Sequence, residues 1–203
     1  MKKILIIALL FTVACAGSSY KGNDTDRQLA QKLIGTWEGS IFLDDEIPAD
    51  IQFFEGTDGT TGNFVEIAYL HEIDGDFDIR YFAYVSGEFT VKDGVLSLDF
   101  NPETTYTEAY DDDYLAEYAH ALWTYYIEEG KELLWDDETD LAYSVLDMLN
   151  DEWSATCEAR NEAGNSFSNL TVSDSKMSFV AGNGTWEFKR ADHDWFTGFP
   201  FGE

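Results

Sequence analysis

Around Asp93-Gly94 the chain alternates apolar and polar residues on both sides of a turn signal. Asp-Gly favours the positive φ angles of a two-residue type I′ turn. Closing a hairpin there sets Val91 against Leu96 and Phe89 against Leu98 on one face. Thr90–Ser97 and Glu88–Asp99 fall on the other. A strand pair with one apolar and one polar face is stable only when folded over a core, so this register commits the region to an antiparallel sheet.

The same grammar recurs along the chain. Gln28 to Ile34 reads as a short helix. It leads into a strand, Gly35 to Phe42, with Trp37, Gly39 and Ile41 on one face. Ala49 to Glu55 alternates again. Asp74-Gly75 separates Phe64–Ile73 from Asp76–Ser86, a hairpin apolar on both faces. Val65, Ile67, Tyr69, Phe82 and Tyr84 lie on one, and Phe64, Ala68, Leu70, Phe77, Ile79 and Tyr81 on the other. Something must cover the outer face, or the inner one must line a cavity. Strands resume at Phe167–Ser173, Lys176–Ala181 and Thr185–Arg190, with Asn183-Gly184 as a further turn. Eight or nine short strands in a meander lose their edges by closing into a barrel.

Between the two β blocks the period changes. After Asn101-Pro102, Leu115, Tyr118, Ala119, Leu122, Tyr125 and Tyr126 follow helical spacing, and Gly130 is a stop. A second stripe carries Leu141, Val145, Met148, Leu149, Trp153 and Cys157. Asp111-Asp112-Asp113 and Asp136-Asp137-Glu138 suit helix N-termini. Residues 108–162 are read as a two-helix insertion, with a hairpin of 125–127 and 132–135 as the alternative for its middle. The predicted fold class is mainly β: a barrel of eight or nine antiparallel strands with a helical insert.

The first residues read as an address. Lys2 and Lys3 precede an apolar run, Ile4 to Ala14, too short to span a bilayer. It ends in Thr12-Val13-Ala14-Cys15, which resembles the lipobox of bacterial lipoproteins. That resemblance implies cleavage after residue 14 and acylation of Cys15. Thr12 departs from the pattern, where Leu or Val is usual. An ordinary secretory signal cut near Ala16 is the simpler alternative. With Cys15 lipidated, the other cysteine, Cys157, has no disulfide partner. Residues 15–26 read as a tether and 27–191 as the barrel domain. Asp is absent after Cys15, which by resemblance to enterobacterial sorting implies the outer membrane, facing the periplasm.

With Lys+Arg at 12 against Asp+Glu at 40, the chain lacks the cationic face that nucleic acid requires. It also repels anionic headgroups, so lipid chains rather than the protein surface would hold it to a membrane.

Gly35-Thr36-Trp37 on the first strand and Arg190 closing the last resemble the lipocalin and wider calycin pattern. The resemblance covers residues 33–100 and 166–191. It implies that Trp37 sits at a closed barrel end with Arg190 across its ring, and that the barrel holds a small apolar or amphipathic ligand. Phe53, Phe89, Val91, Leu96, Leu98 and Phe188 are the candidate walls. The alternative is a barrel filled by its own side chains, acting as a protein–protein interaction module of an envelope assembly. An enzyme inhibitor, as some calycins are, is a weaker third.

Chemistry-bearing clusters are sparse. His71, His120 and His193 share no metal-binding spacing, and no nucleophile elbow frames a serine, so neither metal, cofactor nor catalysis is expected. His193, just after the last strand, resembles the late ligand of calycin-like haem proteins. An exposed histidine between Asp192 and Asp194 is the simpler reading. Asp74 to Asp78 fails the EF-hand pattern. The tail, residues 192–203, ends in Trp195-Phe196-Thr197-Gly198-Phe199-Pro200-Phe201. It reads as packing over a barrel end or the insert helices, or as a docking strap for a partner.

Overall fold

The computed structural model describes residues 24–194, apart from 44, 75–76 and 182–183. Cys15, the signal segment and the aromatic part of the tail lie outside those residues. The described chain runs α1 (Asp24–Leu33), β1 (Gly35–Phe42), β2 (Glu46–Glu55), β3 (Thr61–Asp74), β4 (Phe77–Lys92), β5 (Val95–Ala109), α2 (Asp112–Glu128), α3 (Glu138–Ala163), β6 (Ser166–Val172), β7 (Lys176–Ala181) and β8 (Gly184–Arg190). The strands pair in sequence order into a closed antiparallel meander barrel, with β8 returning to β1. This is the lipocalin-like architecture expected above.

The Asp93-Gly94 hairpin has the register read from its pattern. Val91 pairs with Leu96, Thr90 with Ser97, Phe89 with Leu98 and Glu88 with Asp99. Asp93 and Gly94 have φ of 54° and 74°. The other two turns are displaced by one residue. Asp74 pairs with Phe77, and Ala181 with Gly184, so both Asx-Gly pairs straddle a strand end.

Three boundaries differ from the sequence reading. Residues 76–86 and 88–92 join through Gly87 into one strand, β4. A Cβ on Gly87 would stand 2.7 Å from the Phe64 ring and 2.1 Å from the Asp99 carbonyl. Gly87 is therefore a seat for a ring from the neighbouring strand, and the strand count is eight. β5 continues through Pro102 to Ala109. Tyr84 pairs with Tyr106 but Ser86 with Asn101, so Pro102 lies in a bulge where its missing N–H breaks no ladder bond. Finally, α1 starts at Asp24, earlier than residue 28, and takes in the last residues assigned to the tether.

The insert is helical throughout its two stretches, and residues 125–127 lie in α2, not in a hairpin. Asp111 caps α2, accepting from the Asp113 N–H at 2.9 Å. Asp137 caps α3, accepting from Thr139 and Asp140. Gly130, at φ 62°, follows the α2 terminus. On α3 the stripe Leu141, Val145, Leu149, Trp153 and Cys157 is buried, whereas Met148 points outward.

Candidate functional site

The closed end is built from α1, Trp37 and Arg190. Trp37 pairs with Arg190 across β1 and β8, and the guanidinium lies 4.0 Å from the centre of the indole. The same guanidinium donates to the carbonyls of Ile34 and, at 2.7 Å, Lys32. Trp37 Nε1 donates to the Leu33 carbonyl at 2.6 Å. A helix leaves its last carbonyls without intrahelical partners. Here the barrel's own Arg and Trp supply them, which fixes α1 across the barrel floor. Asp26 adds a second tie: its buried carboxylate accepts from the N–H groups of Asp93 and Gly94, both at 3.0 Å. Gly35, Trp37 and Arg190 thus come together as the motif implied.

The six candidate wall residues, Phe53, Phe89, Val91, Leu96, Leu98 and Phe188, all face inward and are at most 5% exposed. They are covered by other side chains. Phe53 meets Phe89 edge-on at 5.2 Å, Phe64 meets Phe100 at 5.0 Å, and Phe179 stacks on Phe188 at 5.7 Å. Three rings are seated on glycines: Phe64 on Gly87, Phe89 on Gly62 and Phe188 on Gly39. Rings set against bare backbone fill a narrow barrel closely.

Toward the other end, α3 completes the core. β6 meets β5 only near Leu96 and Ser97, and α3 lies against β5 beyond that point. Asn161 substitutes for a strand there. Its side-chain oxygen accepts from Phe100 N at 3.0 Å, and its amide donates to the Phe100 carbonyl at 2.7 Å. Arg160 reaches inward from α3 to Glu66 of β3, a fully buried carboxylate, and donates to both of its oxygens. The Arg160 guanidinium also covers the Phe100 ring at 3.9 Å. Burial opposes its charge, but Glu66 more than offsets this, and the Arg160 pKa is raised further. The neighbouring Cys157 thiol is pushed up to about 12, first by burial and then by the Glu66 charge. A thiol so held is unreactive.

No family model matches the chain, and neither does any curated protein.

The Glu66–Arg160 pair was not read from the sequence. Glu66 sits in a strand that is apolar on both faces, so no pattern assigned its side, and its partner is 94 positions away. The available signal was that α3 carries one basic residue, and that it continues the stripe of Trp153 and Cys157.

Elsewhere, two clefts stand out among the described residues. One, of about 240 Å³, is lined by Phe42, Ala181, Gly184, Thr185 and Trp186. The other, of about 130 Å³, lies between α1 and the β2–β3 loop and touches Phe89. Of the histidines, His71 pairs with Asp78 at 2.6 Å and His120 with Glu138 at 3.1 Å. His193 lies 3.5 Å from Glu38 and 3.4 Å from Asp192, all three exposed.

The outer side of the insert has its own character. α2 contains no Lys or Arg, and the one basic residue of α3 is committed to Glu66. Tyr143, Met148, Ile127 and Leu134 are exposed on or between these acidic helices.

Proposed function

We propose that this protein is a lipid-anchored, non-catalytic barrel of a bacterial envelope, whose interior is structural and whose working surface is the outer side of its helical insert. The partner is a protein with a basic contact surface carrying some apolar side chains. The observation behind this reading is the interior: the six residues that would wall a ligand site are closed over by rings, and α3 places a buried ion pair above them. Ligand pockets usually enclose about 300–1,000 Å³. The larger cleft, at about 240 Å³, is below that range and lies apart from the six.

The choice of partner rests on charge. A helical pair rich in acidic side chains, with Lys131 of their connection held on Tyr125 as its exposed cation and with scattered exposed apolar residues, attracts cationic surfaces and repels anionic ones. The membrane attachment rests on the resemblance of Val13-Ala14-Cys15 and the preceding apolar run to a lipoprotein signal.

Native mass spectrometry tests the interior. A soluble form starting at Ala16, purified from a bacterial envelope without detergent, should give the bare chain mass. A discrete extra mass lost on denaturation would return the barrel to ligand binding. Photo-cross-linking from position 143 in intact envelopes tests the partner. A cross-linked protein that disappears above about 0.5 M salt is expected, because screening at that strength reaches within a few ångströms. Equal capture from an outward position on β7 would count against the assignment.

A further inference from the structure

The turn between α2 and α3 carries an aromatic corner with a cation already in it. Lys131 Nζ stands 4.2 Å from the centre of the Tyr125 ring and 5.4 Å from that of Tyr126. It donates to the Tyr125 hydroxyl at 2.9 Å. Trp135 meets Tyr126 edge-on at 5.5 Å and packs against the interior cluster, which ties the corner to the core. A ring face carries negative potential, so an ammonium or guanidinium within about 6 Å of a ring centre is attracted to it. The bond to Tyr125 holds the Lys131 pKa above its ordinary value, so the occupant stays charged.

The backbone of the turn does not depend on that occupant. Glu129 N donates to the Tyr125 carbonyl at 3.0 Å, and Lys131 N donates to the Tyr126 carbonyl at 2.9 Å. These bonds satisfy the last carbonyls of α2 and hold both tyrosines at the turn. The Lys131 ammonium is exposed, and Tyr125 is 38% exposed. A cation–ring contact open to water is weak, so a second cation can replace the first.

The surroundings select a cation over an anion. Residues 128–140 contain seven carboxylates, and Lys131 is their only basic side chain. Arg160, the other basic residue of the insert, is bound to Glu66 in the interior. Ile127 and Leu134, both exposed, flank the corner along the chain. A cationic side chain with an aliphatic stem suits this combination. Its stem lies on apolar surface, and its head meets rings and carboxylates.

We propose that Tyr125, Tyr126 and Trp135 form a receptor for a lysine or arginine side chain of the protein partner, and that Lys131 fills it in the free chain as an internal stand-in. On the reading that the outer insert is the working surface, this corner is where the partner's cation is taken up. Docking displaces the Lys131 ammonium into water and puts an intermolecular contact in place of an internal one. A single isolated cation gains little over Lys131. A surface presenting several also gains from the carboxylates, so the stand-in favours strongly basic partners over weakly basic ones.

Tetra-arginine amide, titrated into the soluble chain starting at Ala16, tests the corner. Binding is read from the fluorine resonance of 5-fluorotryptophan at position 135, assigned with Trp135→Phe. Lys131→Met removes the stand-in, and the peptide is expected to bind that chain at least fivefold more tightly than the natural one. Lys189→Met, on β8, makes the same charge change away from the insert and should shift affinity less than twofold. Adding Tyr125→Leu and Tyr126→Leu to Lys131→Met keeps charge and apolar bulk, and should weaken binding at least fivefold. A gain from Lys131→Met no larger than that from Lys189→Met overturns the proposal, as does an unchanged affinity in the leucine chain. The other five tryptophan resonances show whether a variant has kept its fold. If the leucine pair alters them, Tyr125→Leu alone takes its place. Cross-linking from position 143 in intact envelopes decides the working surface separately. Its absence, with the peptide results as expected, removes the partner reading and leaves the cation receptor standing.

Discussion

Arg190 shows how much one side chain can hold at a barrel end. It stacks on Trp37, satisfies two carbonyls of the α1 terminus, and sits where β8 meets β1. Trp37→Ala should cost about 3–5 kcal/mol in urea unfolding, since the ring is fully buried and its cavity has no ready filler. A loss under about 0.5 kcal/mol would contradict this placement. Breaking the other polar lock by Arg160→Ala should cost a similar 3–5 kcal/mol, because it strands Glu66 as a buried charge. Replacing both partners, with Glu66→Leu and Arg160→Met, should recover most of that loss. Cys157 adds a pH dependence. Its thiol titrates near 9 in the unfolded chain and about 12 in the folded one. Above pH 9 the unfolded chain releases this proton first, so stability falls as pH rises from about 9 to 12. Unfolding midpoints should show a shallower alkaline decline in Cys157→Ala than in the natural chain. The first lock was legible because Gly-x-Trp and a terminal Arg are local marks. The second was not, because a lone Glu in a strand apolar on both faces has no pattern to place it until a helix far along the chain is laid against it.

At the scale of elements, the sequence carried the period but not always the reason for a break. Gly87 looked like a gap between strands and is a seat for Phe64. Pro102 looked like the end of a strand and is the centre of a bulge. In both cases the deciding contact comes from another strand, which no local window contains. The helices were read well because their signals are local: aspartate caps, a 3.6-residue stripe and Gly130. What the stripe could not say is that α3 stands in for a strand along β5. Asn161→Ala removes both bonds to the Phe100 backbone and leaves that N–H and carbonyl unpaired. It should destabilise by about 1–3 kcal/mol, measured by urea unfolding. Asn161→Asp keeps the acceptor but sets a carboxylate oxygen against the Phe100 carbonyl where the amide donated, so it should destabilise at least as much.

At the scale of the molecule, a packed interior and an acidic exterior are what support the proposed working surface on the outside. Charge was fully legible, since it is a sum over residues. Whether the barrel is hollow was not, because that depends on how facing rings and glycines meet across strands far apart in sequence. Membrane attachment is tested at this scale: Cys15→Ser should move the protein from the membrane fraction to the soluble fraction. Full retention would overturn the lipid anchor.

The closure at the barrel floor also sets a clock. Trp37 is near the start of the folded chain and Arg190 near its end, and their strands become neighbours only when both exist. Until β8 arrives, β1 and β7 each present an unpaired edge, and the indole of Trp37 has no cover. A chain that stops short of residue 190 therefore has no closed barrel to rest in. It is complete or it is sticky, and the cell must shield it until its last strand is home.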